Sequence, residues 1–288
     1  MKIAFIGIGV MGLPMAGHLM DAGHDVKLYT RTKSKADPLV ARGAKCFDAI
    51  GPCVCDREAI ITMVGFPKDV EEVYLGKGGI LENAPEGALI IDMTTTSPAL
   101  WQRIAKKARK RGLRPLDAPV SGGDSGAKAG TLAIMVGGET ADFEAALPLF
   151  EKMGKTIVHE GGDGAGQHTK MANQIAIAGA VTAVAEAVSY GKATGLDLSK
   201  MLGTISTGAA GSWQMSNNGP KMISGDYAPG FFIKHFVKDL RIALEESKER
   251  GLELPILKKA LKMYMQMEEK GQGDLGTQAI IERYGDDC

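Results

Sequence analysis

Residues 2–16 read KIAFIGIGVMGLPMA, and this stretch decides the fold. Lys2 to Ile6 is a short apolar run of strand character. Gly7-Ile8-Gly9-Val10-Met11-Gly12 then matches G-x-G-x-x-G, and a helix-compatible stretch runs from about Met11 to Ala22. Gly23 ends it, and a second apolar run, Val26 to Tyr29, follows. The bare glycine pattern is weak, because 38 of the 288 residues are glycine. A strand before it, a helix opening on it and a second strand at the right distance make it specific. In that setting Gly7 permits the tight turn, Gly9 lets the backbone approach a pyrophosphate, and Gly12 allows close helix–strand packing. The helix N-terminus, through Val10 and Met11, presents N–H groups and partial positive charge to phosphates.

A dinucleotide-binding turn of this kind usually has an acidic residue at the end of the second strand, accepting hydrogen bonds from the adenine ribose. Here residues 29–35 read YTRTKSK. Asp25 comes too early for that role and Asp37 too late. A carboxylate would repel a 2′-phosphate, whereas the Arg31 guanidinium suits phosphate oxygens. Thr30, Thr32 and Ser34 add hydroxyls, and Lys33 or Lys35 a further charge. The segment therefore predicts NADP(H) in preference to NAD(H). NAD or dual use stays open, because Arg also stacks on adenine. The bland alternative is a solvated surface turn.

Further along, strand-like runs at Ala59 to Val64, Ala88 to Asp92, Arg114 to Pro119 and Ala133 to Gly137 alternate with helical stretches such as Pro98 to Arg111 and Ala141 to Met153. Alternation of this kind predicts a parallel sheet with helices on both faces. The pattern changes at Gly161-Gly162-Asp163-Gly164-Ala165-Gly166. An Ala-rich stretch, about Gln167 to Thr194, reads as one long helix, apolar nearly all round and so buried on most sides. Only helical patterns follow. The expected organisation is an α/β Rossmann-type domain over 1–163, a connecting helix over 164–194, and an all-α domain over 195–288.

Composition narrows the function classes. Lys+Arg and Asp+Glu balance at 34 each, so charge argues for neither nucleic acid nor an anionic membrane as partner. No apolar run approaches the roughly 20 residues needed to span a bilayer. The N-terminus enters a strand directly and does not read as a signal peptide, which points to the cytoplasm. Cys46, Cys53, Cys55 and Cys288 lack metal-ligand spacing and read as reduced thiols, and the five His residues form no metal or triad pattern. No metal is expected.

The opening block closely resembles that of the β-hydroxyacid dehydrogenases, a group that includes 3-hydroxyisobutyrate dehydrogenase, tartronate semialdehyde reductase and succinic semialdehyde reductases. Three more blocks are similar to that family and stand in its order: Asp117-Ala118-Pro119-Val120-Ser121-Gly122-Gly123 with Gly126-Ala127 and Gly130-Thr131-Leu132; Gly164-Ala165-Gly166 through Lys170 to Asn173-Gln174; and Phe232 through Lys238-Asp239-Leu240. The resemblance implies a substrate-binding block at Ser121, a catalytic helix at Lys170 and a cofactor-side helix at Lys238. It also implies that a hydroxyl of the Thr94-Thr95-Thr96-Ser97-Pro98 segment, best Thr95, touches the nicotinamide or its ribose. Where many members have two consecutive Asn, this chain has Asn173-Gln174, and the longer arm puts the substrate contact at Gln174 in question.

The residues themselves support a concrete chemistry. Lys170, Asn173 and Gln174 stand at i, i+3 and i+4, which places them on one helix face. That face is expected to turn toward a cleft between the domains, with Lys170 as general acid/base; the bland alternative is a Lys and two amides capping neighbouring loops. Ser121, Gly122 and Gly123 follow a strand and offer backbone N–H groups and a hydroxyl as a nest for a substrate carboxylate. Ser121 is no nucleophile, for it has neither a G-x-S-x-G setting nor a partner His. Val64 is expected along the cofactor cleft, and Ser97-Pro98 also reads as a helix start. His168 and His235 receive no role. The expected activity is NADPH-dependent reduction of a short carboxylate-bearing aldehyde (glyoxylate or succinic, methylmalonate or tartronate semialdehyde), and its reverse, by a homo-dimer or tetramer. The rivals are an NAD-dependent 3-hydroxyisobutyrate dehydrogenase and a non-catalytic dinucleotide-binding module. Imine reductases commonly carry Asp or Tyr where Lys170 stands. Oxidative decarboxylation of a phosphorylated sugar acid needs a longer chain and a more basic pocket.

Overall fold

A computed structural model describes residues 1–285; Cys288 lies outside the described residues. By its internal contacts the chain divides into two compact units, Met1–Lys170 and a second beginning at Met171. The boundary falls inside one continuous helix, Ala165–Ala193.

The first unit is built on a nine-stranded sheet. Its strands are β1 (Lys2–Ile6), β2 (Asp25–Tyr29), β3 (Lys45–Phe47), β4 (Ala59–Thr62), β5 (Leu89–Asp92), β6 (Arg114–Asp117), β7 (Val120–Ser121), β8 (Leu132–Gly138) and β9 (Gly154–Gly161). They lie in the order β3-β2-β1-β4-β5-β6-β8-β7, with β9 on the other side of β8. The first six are parallel in the doubly wound 3-2-1-4-5-6 order. Every residue of β4 and β5 is buried, the mark of central parallel strands covered on both faces. Alternate residues feed two cores. Ile3, Phe5, Ile61 and Ile91 pack on one face, and Ala4, Ile6, Ile60, Ile90 and Trp101 on the other. The helix Pro98–Arg109 starts where expected, its first turn capped by Ser97 Oγ accepting from the Leu100 N–H. Cys53 sits in the second core, where burial pushes its thiol up to about 12 and leaves it inert.

The sheet departs from the expected all-parallel form at its far end, where β8 runs antiparallel to β6 and β7. β3, β7 and β9 are absent from the sequence reading. β3 and β7 have three and two residues, too short to show a period. β9 has only Ile157 and Val158 as apolar side chains, set between the pairs Lys155-Thr156 and His159-Glu160, so it shows no period-2 alternation, and it lies at the edge beyond β8, largely exposed.

In the second unit the helices Leu198–Ile205, Gly219–Ser224, Ile233–Glu249 and Pro255–Glu269 enclose a core with Phe236, Leu240, Leu257 and Tyr264. A π-helical turn, Gln214–Asn218, follows Trp213, which is 62% exposed. The long helix gives this core Ala178, Val181, Val184, Ala185 and Val188, one face at three- and four-residue steps. Two expectations about this helix change. Its opposite face, with Ala172, Ala176, Ala183 and Tyr190, is exposed rather than buried, because alanine costs little to leave in water. It is also long and apolar enough, by length and composition, to cross a membrane, although only 39% of the qualifying stretch is buried. Gly, Ser and Thr break its apolar runs, which hides its mean hydropathy from a search for unbroken ones.

Candidate active site

The strand order reverses between β1 and β4, and ligands of such sheets bind beyond the carboxyl ends at that point. The glycine turn stands there. The Gly7 N–H donates to the Tyr29 carbonyl (2.8 Å), and the Met63 N–H to the Ile6 carbonyl (2.8 Å). Gly7 has φ +99°, and a Cβ on it would overlap the Met63 carbonyl. A Cβ on Gly12 would overlap the Gly7 carbonyl, in a helix packed on Phe5. Both glycines are explained by the protein's own packing. Gly9 is not, because a Cβ there meets nothing within 4 Å. The open space at Gly9 is a cradle that a side chain would fill, bordered by Val10, an aliphatic side chain left 55% exposed. A pyrophosphate on the first helix, Gly12–Asp21, fits this turn.

Arg31, just past β2, is 68% exposed, and its guanidinium pairs with Asp69 Oδ1 at 3.0 Å. Asp69 is buried and also accepts from the Phe66 N–H (3.0 Å), closing the start of the helix Pro67–Leu75. Lys33 pairs with Asp48, and Thr32 is exposed before a short 3₁₀ turn. No acid occupies the end of β2, where Tyr29, Thr30 and Arg31 stand.

Buried polar groups tie the neighbouring loops together. Asp92, at the end of β5, accepts through Oδ1 from Thr62 Oγ1 (2.7 Å) and the Thr94 N–H (3.1 Å). Thr94 Oγ1 accepts from the Val64 N–H (2.9 Å), so the Val64 loop is fastened to the threonine loop. Tyr74 meets Thr62 Oγ1 at 3.0 Å and stands edge-on to the buried Trp101. Asp92 Oδ2 is buried with no hydrogen-bond partner. Burial, with Asp117 nearby, raises the Asp92 carboxyl to about 7, and its hydrogen bonds hold it back from rising further.

Asp117, at the end of β6, accepts from the Gly164 N–H and the Gln167 N–H, both at 2.8 Å. Burial raises it to about 6 against those two bonds. Asp117 thereby fixes the first turn of the long helix. Gly166 lets that turn close on the sheet, for a Cβ there would overlap the Met135 carbonyl. Arg109 forks onto the Asp163 carboxylate just ahead of it. The fully buried Gln167 accepts from the Thr96 N–H (3.0 Å) and donates to the Thr94 carbonyl (2.8 Å), one bond on each side of Thr95. Lys170 follows one turn later, 6% exposed.

Ser121 ends β7, and Gly122 (φ +132°) and Gly123 (φ +62°) turn the chain into a short helix, Gly123–Ala129. In the second unit, Asn173 Nδ2 donates to Gln174 Oε1 (2.8 Å), and Gln174 Nε2 donates to Asp239 Oδ2 (2.7 Å). Asp239 Oδ1 pairs with Lys238 Nζ at 2.9 Å. The longer arm of Gln174 thus joins Asn173 to the helix Ile233–Glu249, and both ends of its amide are engaged. Sequence reasoning assigned no role to Asp92, Asp117, Gln167 or Asp239. For Asp92 and Asp117 the signal is an acid in an otherwise apolar stretch; Gln167 and Asp239 stand among other polar residues and carry no such signal. The first unit also has a cavity of about 500 Å³ lined by His24, Asp25, Lys27, Asp56 and Arg57, at the amino ends of the strands. It is a salt-bridge cluster, with Arg57 on Asp25 and Asp56 and Lys27 on Asp56, remote from the glycine turn.

Known proteins match this arrangement over its whole length. Residues 2–162 match the NAD binding domain of 6-phosphogluconate dehydrogenase, and 164–284 the NAD-binding domain of NADP-dependent 3-hydroxyisobutyrate dehydrogenase. The chain belongs to the β-hydroxyacid dehydrogenase family. Among its relatives, a probable 3-hydroxyisobutyrate dehydrogenase-like protein of Arabidopsis thaliana is 44% identical over 97% of this chain and 84% of its own. The 2-hydroxy-3-oxopropionate reductase of Escherichia coli is 38% identical over 98% and 96%. The structure of Mycobacterium tuberculosis 3-hydroxyisobutyrate dehydrogenase with L-serine superposes with a TM-score of 0.90, at 31% identity and 98% coverage of both chains. As a β-hydroxyacid dehydrogenase the chain is an NAD(P)-dependent oxidoreductase with hydroxyacid dehydrogenase activity.

Proposed function

We propose that this β-hydroxyacid dehydrogenase reduces a short aldehyde bearing a carboxylate, with NADPH as the preferred reductant, and catalyses the reverse oxidation. The observation that carries the proposal is a 94% buried lysine, one turn beyond a helix start anchored to the loops of the glycine-turn sheet edge. Gly7, Gly9, Val10, Met11 and Gly12 would hold the dinucleotide phosphates, Val64 and Thr95 the nicotinamide side, and Arg31 and Thr32 the 2′-phosphate. When bound, the nicotinamide supplies a hydride for the carbonyl carbon. Lys170 Nζ hydrogen-bonds the carbonyl oxygen and gives it a proton as negative charge develops; in the reverse direction it takes the hydroxyl proton. Ser121 and the N–H groups of Gly122 and Gly123 bind the carboxylate. Asn173, its amide held by Gln174, orients the reacting end.

The relatives' names support an acid substrate. 2-Hydroxy-3-oxopropionate is tartronate semialdehyde, an aldehyde with a carboxylate, and L-serine is a β-hydroxy acid. One observation favours the NAD-dependent 3-hydroxyisobutyrate reading: Arg31 and Lys33 each face a carboxylate, which offsets part of their attraction for a phosphate. Initial rates with NADPH and NADH against glyoxylate and succinic, methylmalonate and tartronate semialdehydes separate the two. NADPH preference of tenfold or more supports the proposal, and equal or better rates with NADH refute its cofactor part. Lys170→Ala should remove most of kcat with NADPH affinity nearly intact, and near-normal turnover would refute the lysine's role.

A further inference from the structure

We propose that Gln167 is a positioning residue that sets the threonine loop against Lys170, an inference resting on the reading above of Thr95 at the nicotinamide and Lys170 at the carbonyl oxygen. Its carboxamide lies between two backbone groups of that loop. Oε1 accepts from the Thr96 N–H at 3.0 Å, and Nε2 donates to the Thr94 carbonyl at 2.8 Å. Thr95 is the residue between them, so its backbone is fixed from both sides by one side chain. The side chain is fully buried, and its backbone N–H is held by Asp117 at 2.8 Å. Gln167 therefore cannot drift without breaking three hydrogen bonds. Lys170 is three residues on in the same helix, a rise of about 4.5 Å, on the neighbouring part of the helix surface. A short rigid path thus joins Thr95 to Lys170, and all of it lies in the first unit.

The chemistry explains why such a path is useful. Hydride and proton reach adjacent atoms of one carbonyl group, and a misplacement of an ångström at a reacting pair costs about a hundredfold in rate. A glutamine suits the role better than other polar side chains. It carries an acceptor and a donor at one end, matching one N–H and one C=O. Asn has the same groups on an arm one methylene shorter. Glu, when ionised, has only acceptors and would set a charge against the Thr94 carbonyl.

The test uses Gln167→Met, which keeps the volume and removes both bonds, and Gln167→Glu, which restores them when protonated. Each is measured for kcat per NADPH-binding site, KM for aldehyde, NADPH affinity, and the primary isotope effect with NADPH deuterated at the transferred position. Gln167→Met is expected to lower kcat per binding site tenfold or more and to raise the isotope effect, with NADPH affinity within about threefold of wild type. Gln167→Glu should recover activity, relative to wild type, as pH falls and its carboxyl takes up a proton. A purely structural role would lower the number of binding sites and the melting temperature, while the surviving sites kept wild-type kcat and isotope effect. That result overturns the proposal, as does a Gln167→Glu variant whose relative activity does not change with pH. Should Gln167→Met leave too little folded protein, Gln167→Glu decides alone. Lys170→Ala, run alongside, separates the two readings. If it stays active, the reaction scheme fails; if it is inactive while Gln167→Met has normal turnover, only the positioning role fails.

Discussion

Gly7 and Gly9 look alike in the sequence, and the structure gives them different reasons. Gly7 has a positive φ and no room for a Cβ, so Gly7→Ala should unfold more easily, by at least 1–3 kcal/mol on the scale of about that size for strained backbone positions. Gly9→Ala meets no protein atom, so it should keep wild-type melting while weakening the dinucleotide tenfold or more. Calorimetric melting and cofactor titration on the two variants check this, and a Gly9→Ala protein that binds normally would remove the argument for a phosphate there. Arg31→Ala should raise KM for NADPH about ten- to a hundredfold, the worth of a charge-assisted hydrogen bond of roughly 1.5–3 kcal/mol, and leave KM for NADH almost unchanged. At this scale the sequence was informative wherever backbone geometry forces a residue type, as at the glycines. It was silent on Asp92 and Asp117. A carboxyl at the end of an apolar strand reads as a strand terminus until the fold shows that it is buried and accepting backbone N–H groups.

Elements show the same division. Five of the six parallel strands (β1, β2, β4, β5 and β6), together with β8 and the first helix, were legible, because apolar runs punctuated by glycine have few alternatives. β3, β7 and β9 were not, since their pairing partners rather than their own residues make them strands. The long helix was legible in extent but not in environment, which depends on what packs against it. Its first turn is tied to β6 by two backbone bonds to one carboxylate. Asp117→Ala should therefore cost about 2–4 kcal/mol, more than an ordinary cap, because two buried donors lose their acceptor. Denaturant melts read the loss. A cost under 1 kcal/mol, on the scale of about that size for one exposed cap, would mean the turn is held elsewhere.

For the whole molecule, the clearest consequence concerns pH. Burial raises Asp92 from 3.8 to about 7, so the folded protein keeps a proton that the unfolded chain has released. The stabilisation from this group is complete below about pH 4 and is lost as pH rises to about 7, with a slope of at most ~1.4 kcal/mol per pH unit. Asp117 adds to the same trend up to about pH 6. Asp92→Asn keeps the acceptor for Thr62 and Thr94 and has no proton to lose. Its stability should fall less steeply than that of wild type between pH 5 and 7.5, a window of about that width set by the raised value. Parallel slopes would place the titration elsewhere.

The two tryptophans give this protein a built-in pair of optical labels. Trp101 is wholly buried in the first unit, and Trp213 is largely exposed in the second. Their emission should therefore separate into a blue and a red component. Trp101→Phe and Trp213→Phe would leave one reporter each, and the loss of structure in each half of the chain could be timed on its own.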